Sequence, residues 1–237
     1  MMNKYQNQII QFKIFGERHT ATNAIARLLI QNFDLDYPYY DFLGWKHRKA
    51  PNAEELQNKP LVARTLFIIT VRHPYEWAAA MHRWPYCDSD AVIHRYSFKR
   101  FLDYPIEDYA SILDMWNQKY ASYQKFIELV PYVKVIRYED FKKDQLAVLQ
   151  DLYQWIPQPE KPEIFNQYMH GGVGWNLTLT NRTIEKLIYQ HWLQFPVDAS
   201  NSSAPQKPLE PITDDIASMI DKQIDDSVLR YYYPTLA

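Results

Sequence analysis

Residues 12–29 have the sequence F-K-I-F-G-E-R-H-T-A-T-N-A-I-A-R-L-L, in which two hydrophobic patterns flank a short polar turn. The apolar run that begins the stretch ends at Gly16. Apolar residues then return at helical spacing, at Ile25, Leu28 and Leu29. This order of patterns predicts a β-strand, a tight loop and an α-helix.

The polar turn has the composition of an anion site. Backbone N–H groups at the start of a helix carry a partial positive charge and can surround a phosphate. Side-chain donors follow Gly16 in the turn, at Arg18, His19, Thr20, Thr22 and Asn23. The same composition also occurs where a turn merely begins a helix, and the G-x-x-x-x-G-K-[ST] pattern of Mg²⁺-dependent nucleoside triphosphatases is absent.

The chain length and the distribution of charge indicate how many domains to expect and which part of the chain would bind anions. A chain of 237 residues that is 47% hydrophobic can bury one sizeable core, so we expect a single domain over residues 1–237. Residues 1–100 contain 14 Lys+Arg and 9 Asp+Glu, whereas residues 101–237 contain 12 and 19. Anion-binding chemistry is therefore expected in the N-terminal part.

Composition also excludes several classes of protein. The single Cys87 excludes an internal disulfide and a Cys-rich metal site. There is no export signal and no long apolar run, so we expect a cytoplasmic chain without a membrane span. Overall negative charge and the lack of an RNA-binding motif argue against a nucleic-acid partner.

The rest of the chain predicts an α/β fold with a central parallel sheet flanked by helices, a P-loop-like three-layer α/β/α arrangement with a mainly helical C-terminal third. Phe42, Leu43 and Trp45 predict a short strand that delivers Lys46 and His47 at its carboxyl end. Residues 66–71 form a continuous apolar run, typical of a central strand, which stops at Arg72. Further elements are expected as a helix from Pro74, a helix over 106–129, a strand over 132–137 and a helix over 146–156.

The last third is less regular. Residues 157–175 are interpreted as a connector, with a mobile flap as the alternative. A helix is expected over about 180–193, a flexible excursion over 197–211, and a final helix from Thr213 through Val228.

Three segments at predicted strand ends resemble the sulfotransferase superfamily in order and spacing. They are G-E-R-H-T-A-T-N at 16–23, V-R-H-P-Y-E-W at 71–77 and I-R-Y-E-D-F at 136–141. The family has a K-S-G-T type phosphosulfate loop, an R-[DN]-P segment and a Y-E-D-[LF] segment. W-K-H at 45–47 is similar to the family's K-x-H, which holds a catalytic base. The resemblance covers about residues 8–155.

This resemblance implies transfer of a sulfuryl group from 3′-phosphoadenosine 5′-phosphosulfate, a co-substrate, to a hydroxyl or amine of a carbohydrate or small molecule, without a metal. The turn from Gly16 through Arg18 and His19 would bind the co-substrate. The residues expected at its 5′-phosphate are Thr20, Ala21, Thr22 and Asn23.

The remaining roles fall on six residues. Arg72 would bind the 3′-phosphate, and Tyr138 would lie near the adenine, with plain core packing as the alternative for Tyr138. Arg18 would neutralise charge on the leaving phosphate, with His19 beside it. His47 or Lys46 would take the acceptor's proton, unless residues 46–49 are only a solvated basic turn.

The chain departs from the family at several positions. His19 replaces the loop lysine, Ala21 replaces the glycine, and Ala80 stands where a serine is expected. No R-K-G segment follows residue 170. Two alternatives therefore stay open: a nucleotide-binding protein on the same fold that has lost catalysis, and a P-loop nucleoside or sugar kinase. The aromatic segments 37–45 and 84–86 would line an acceptor pocket or belong to the core. The acceptor and the oligomeric state are not predicted.

Overall fold

The computed structural model describes residues 9–33, 35–83, 96–156 and 210–234. These residues form three strands, a 3₁₀ turn at Pro60–Arg64 and a set of α-helices. The strands are β1 (Gln11–Gly16), β2 (Thr65–Val71) and β3 (Val133–Arg137). The helices are α1 (Thr22–Asn32), α2 (Ala53–Leu56), α3 (Pro74–Arg83), α4 (Phe98–Leu102), α5 (Ile112–Ile127), α6 (Tyr138–Lys143), α7 (Gln145–Trp155), α8 (Asp214–Asp221) and α9 (Asp226–Tyr232).

The three strands make one parallel sheet in the order β1-β2-β3. Gln11 of β1 pairs with Thr65 of β2, and Phe67 of β2 pairs with Val133 of β3. Every residue of β2 is buried, as the uninterrupted apolar run predicts for a strand with neighbours on both sides. The α/β class and the parallel sheet flanked by helices are thus confirmed.

Side-chain alternation along the strands divides the core into two clusters, one on each face of the sheet. Phe12 and Ile14 of β1 pack with Leu66 of β2 against helices α1 and α7. Phe15 of β1 and Phe67 of β2 belong to the other cluster, which includes residues of α3, α4, α5, α8 and α9. Each face of the sheet is therefore covered by helices.

The connection that leaves β1 runs first toward one edge of the sheet, and the connection that leaves β2 runs toward the opposite edge. After α1 it returns beside β1, where Gln11 and Asp36 form an isolated parallel bridge, with Phe12 N donating to Asp36 O at 2.9 Å. It then crosses to β2 on the other side of β1, and continues outward to β3. Open α/β sheets bind ligands at the carboxyl ends of strands where the direction of crossing changes.

The predicted strand at Phe42–Trp45 is wrong, because this segment forms turns. Leu43 and Gly44 have φ of 63° and 75°, which an extended strand does not allow. The buried ammonium of Lys13 donates to the carbonyl oxygens of Tyr39 and Gly44, each at 2.6 Å. The segment therefore folds around Lys13 instead of extending along the sheet.

Capping residues move two helix boundaries. The helix expected over 106–129 begins at Ile112, because the Ser111 side chain accepts from Asp114 N at 3.1 Å. The final helix expected from Thr213 through Val228 is divided into α8 and α9, since Asp225 caps a new start. The expected helix over 180–193, the connector at 157–175 and the aromatic segment 84–86 lie outside the described residues.

No helix among the described residues has both the length and the apolar character needed to cross a membrane.

Candidate functional site

The turn between β1 and α1 has a backbone shape that suits a ligand. His19 and Ala21 have φ of 63° and 66°, so two non-glycine residues adopt left-handed conformations within three positions. Ala21 is the N-cap of α1, and no side chain caps the helix. Helix starts leave N–H groups without intrahelical partners, and here those groups are left for water or an anion.

Gly16 allows β1 to approach β2 closely at the base of this turn. A Cβ atom added at Gly16 would lie 2.0 Å from Thr70 Oγ1 and 2.5 Å from Thr70 O. Glycine is required here because any side chain would overlap the neighbouring strand.

Hydrogen bonds with buried groups of the protein hold the turn in place. The fully buried Thr20 hydroxyl donates to Glu17 O at 2.5 Å and lies 2.7 Å from Thr70 Oγ1. Trp77 Nε1 donates to Arg18 O at 2.9 Å. Since the Thr20 side chain is engaged within the protein, its backbone N–H is the group left for a phosphate contact.

A buried ion pair lies beneath the turn. Glu17 and Lys119 of α5 form this pair, with side chains that are 0% and 3% exposed. Arg18 N also donates to Glu17 Oε2 at 3.2 Å. Burial raises the pKa of Glu17, whereas Lys119 opposes that rise. The pair ties α5 to the first residue of the turn.

Lys46 and His47 reach the same turn, although they follow a turn and not a strand. Gly16 N donates to Lys46 O at 3.0 Å. His47 Nδ1 lies 2.5 Å from Gly16 O, and Lys46 Nζ donates to Asn23 Oδ1 in the first turn of α1. The predicted strand that would deliver both residues at its carboxyl end is not formed, and a turn brings them to the end of β1 instead.

Burial and neighbouring charge set the protonation of these two side chains. The pKa of Lys46 is lowered to about 8 by burial and by Arg18. The pKa of His47 is lowered well below its usual value by burial and by Lys46, so its imidazole is neutral near pH 7. Because a carbonyl oxygen only accepts, Nδ1 carries the proton and Nε2 holds a lone pair. Among the described residues, Nε2 has no hydrogen-bond partner.

Arg18 faces the aromatic side of the site. Its guanidinium lies 4.6 Å from the Trp45 ring centre, and its Nη1 is 4.0 Å from Glu17 Oε2. Trp45 contacts His47 edge-on, with ring centres 5.1 Å apart. The side chains of Arg18, Trp45 and His47 are therefore in successive contact along one side of the site.

Arg72 approaches the turn from the end of β2. Its Nη1 donates to His19 O at 3.2 Å, and its guanidinium lies 4.1 Å from the Tyr138 ring centre. Nη2 is 3.4 Å from Glu76 Oε2, whereas Nε is buried without a hydrogen-bond partner. The side chain is 12% exposed, so it stays accessible at the carboxyl edge of the sheet. Tyr138 is half-buried and is stacked on Arg72 rather than enclosed in the core.

The structure thus brings all of the predicted site residues to one edge of the sheet. The turn residues Gly16 to Asn23 form its centre, with Lys46 and His47 on one side and Arg72 and Tyr138 on the other.

Sequence reasoning missed the Glu17–Lys119 pair and the buried Lys13. One signal was available, because Lys119 falls on the apolar face of α5 between Trp116 and Tyr123. A lysine at such a position requires a buried partner.

Searches of protein-family models, curated proteins and solved structures found no match to this chain. Within the residues that the structure describes, no group of three or more His, Cys, Asp or Glu side chains is arranged to hold a metal ion.

Proposed function

We propose that this protein is a sulfotransferase that moves a sulfuryl group from 3′-phosphoadenosine 5′-phosphosulfate to a hydroxyl or amine. One observation carries the proposal: cationic side chains from two separate segments, Lys46 and Arg72, contact the two sides of a helix-initiating turn that has no side-chain cap. Positive charge beside a positive helix end is unfavourable unless an anion is bound there.

Two phosphate positions follow from this arrangement. The backbone N–H groups at the start of α1, with Lys46 and Asn23, would bind the 5′-phosphosulfate. Arg72, which donates to His19 O on the other side of the turn, would bind the 3′-phosphate. Because Arg72 is stacked on Tyr138, the adenine of the same nucleotide would lie next to the Tyr138 ring. A P-loop-like three-layer fold is part of the same proposal.

Lys46 offers a substitute for the loop lysine that His19 replaces. Its ammonium reaches Asn23 at the start of α1 from outside the turn. A pKa of about 8 leaves it mostly protonated near pH 7, so it can neutralise charge that develops on the leaving phosphate oxygen. Arg18 adds a permanent charge from the Trp45 side.

His47 is the better candidate for the base that takes the acceptor's proton. Its Nδ1–H is held by Gly16 O, which leaves the Nε2 lone pair to accept. Lys46 is engaged with Asn23 and is suited to contact the transferring group. Trp45 and Tyr39 beside these residues would offer aromatic surface to a carbohydrate or small-molecule acceptor.

The test combines binding and turnover. Calorimetric titration should show binding of 3′,5′-adenosine bisphosphate with EDTA present, and weaker binding of 5′-adenosine monophosphate. Incubation with ³⁵S-labelled donor and a panel of hydroxylated and amine acceptors should transfer label, and His47→Ala should abolish transfer while bisphosphate binding persists. Absence of bisphosphate binding would contradict the proposal, and binding that requires Mg²⁺ would favour a kinase.

A nucleotide-binding protein without catalysis is the second candidate. It is favoured by the Thr20 hydroxyl, which is engaged with Glu17 O and Thr70 within the protein. Tight bisphosphate binding with no label transfer to any acceptor class would support this candidate.

A further inference from the structure

Glu139 joins the two strand ends that carry Arg72 and Tyr138. It follows Tyr138 directly in α6, and its Oε1 accepts from the backbone N–H of His73 at 2.9 Å. His73 in turn directly follows Arg72. One carboxylate oxygen therefore connects the residue after Arg72 to the residue after Tyr138.

The other oxygen of the same carboxylate reaches the C-terminal helices. Glu139 Oε2 accepts from the hydroxyl of Tyr233, which follows α9, at 2.9 Å. Tyr233 is 5% exposed, and its ring also contacts the His73 ring, with centres 5.2 Å apart. Burial and Glu139 raise the pKa of Tyr233, so its hydroxyl remains a donor across the physiological range.

We propose that Glu139 is a positioning residue that holds Arg72 against Tyr138, and that Tyr233 orients Glu139, so that together they set the preference for a 3′-phosphorylated nucleotide. This inference rests on the proposed function. It assigns the C-terminal helices a part in nucleotide selection, although neither Glu139 nor Tyr233 touches the candidate phosphate positions.

The physical basis is the sharing of one carboxylate between two donors. A carboxylate that accepts from a fixed backbone N–H and a buried hydroxyl has little freedom to rotate. The backbone at His73 is then fixed relative to α6, and the 4.1 Å contact between Arg72 and Tyr138 is kept before ligand arrives. A site assembled in advance binds with less loss of side-chain entropy.

The neighbouring acid offers a matched control. Asp140 is exposed and pairs with Arg137, with Oδ2 at 2.6 Å from Nε, and it accepts neither from His73 nor from Tyr233. Asp140→Asn therefore changes the charge of the same helix by the same amount without removing either hydrogen bond of the proposed link. Glu139→Gln removes the shared carboxylate. Tyr233→Phe keeps the carboxylate and removes only the hydroxyl that donates to it.

The experiment measures the dissociation constants of 3′,5′-adenosine bisphosphate and 5′-adenosine monophosphate for the full chain and these three variants. Loss of one hydrogen bond corresponds to roughly a fivefold change in an equilibrium constant. We expect the preference for the bisphosphate to fall by about tenfold or more in Glu139→Gln and by about two- to fivefold in Tyr233→Phe. Asp140→Asn should keep the wild-type preference.

A purely structural role gives a different result. In that case both nucleotides would lose affinity equally and the preference would be unchanged, which would overturn the inference while the proposed function stands. If Glu139→Gln does not fold, the ratio in Tyr233→Phe decides. A wild-type protein with no preference for the bisphosphate would overturn the proposed function together with this inference.

Discussion

Arg72 Nη1 donates to the main-chain carbonyl oxygen of His19 across 3.2 Å, although the two residues are 53 positions apart in the chain. Parallel pairing of β1 and β2 makes this contact possible, because it brings the carboxyl ends of both strands to the same edge of the sheet. The guanidinium thus closes one side of the turn at which α1 begins.

Replacement of Arg72 by Lys should remove the preference for a 3′-phosphate. A single ammonium cannot contact His19 O, stack on Tyr138 and grip a phosphate together. We expect the affinity for 3′,5′-adenosine bisphosphate to fall by roughly 10- to 100-fold, about 1.5–3 kcal/mol, with 5′-adenosine monophosphate changed by less than about threefold. Calorimetry measures both; an equal loss for the two ligands would contradict the role.

Glu76→Gln is the control for Arg72. The carboxylate lies 3.4 Å from Nη2 and is 53% exposed, so it would compete with a phosphate for the guanidinium. Since exposed pairs contribute about 0–1 kcal/mol, thermal stability should stay unchanged and bisphosphate affinity should rise by up to about fivefold.

Nucleotide affinity should fall as the pH rises through the pKa of Lys46, which is about 8. A bound anion favours the protonated ammonium, so affinity should decrease by up to about tenfold per pH unit above that value, with proton uptake on binding. Lys46→Arg should remove the pH dependence of affinity because the arginine side chain stays charged over this range. Titrations at pH 7, 8 and 9 in two buffers of different ionisation enthalpy measure both effects.

Stability should respond to the same group with the opposite sign. The folded-state pKa of Lys46 lies below the unfolded value of 10.5, so the unfolded chain binds more protons from about pH 8 upward. The free energy of unfolding should therefore gain a contribution as pH rises from about 8 to 9.5, and this contribution should be missing in Lys46→Met. Urea denaturation at several pH values measures this free energy for both proteins. An equal change with pH in the two would refute the lowered pKa of Lys46.

Ala21→Gly should stabilise the protein. A φ of 66° costs a non-glycine residue roughly 1–2 kcal/mol, of which the added freedom of glycine in the unfolded chain offsets about 0.5–1 kcal/mol. We expect a melting temperature higher by about 1–4 °C. Ala24→Gly, the same change within the helical part of α1, should instead destabilise by about 1 kcal/mol. A lower melting temperature for Ala21→Gly would show that the turn is unstrained at this residue.

Glu17 and Lys119 should be strongly coupled. Lys119→Met leaves a carboxylate buried without its partner and should cost roughly 3–5 kcal/mol. Combining it with Glu17→Gln should cost less than the sum of the two single changes. Lys125→Met on the exposed part of α5 should change stability by less than about 0.5 kcal/mol. Urea denaturation measures all four, and additive single effects would mean that the two side chains act independently.

Local patterns predicted the strands correctly wherever side-chain packing agreed with them. The apolar run of β2, the apolar start of β1 and the alternation of β3 each appear at the expected positions. The prediction failed at Phe42–Trp45, because Lys13 draws two carbonyl groups of that segment inward. It also began one helix too early and merged two helices into one, since Ser111 and Asp225 supply caps whose use depends on where the chain turns.

By itself, the sequence determined the strand–turn–helix unit of residues 11–32 and the residues that follow each strand, because hydrophobic periodicity and capping act over a few neighbouring positions. Only the tertiary structure decided which strand ends meet and which charges are paired inside. Glu17 and Lys119 form a buried pair across 102 positions of chain, and His73 and Glu139 form a hydrogen bond across 66. Such contacts arise from the order of strands in the sheet and from the packing of α5 beneath the turn, which no local pattern encodes.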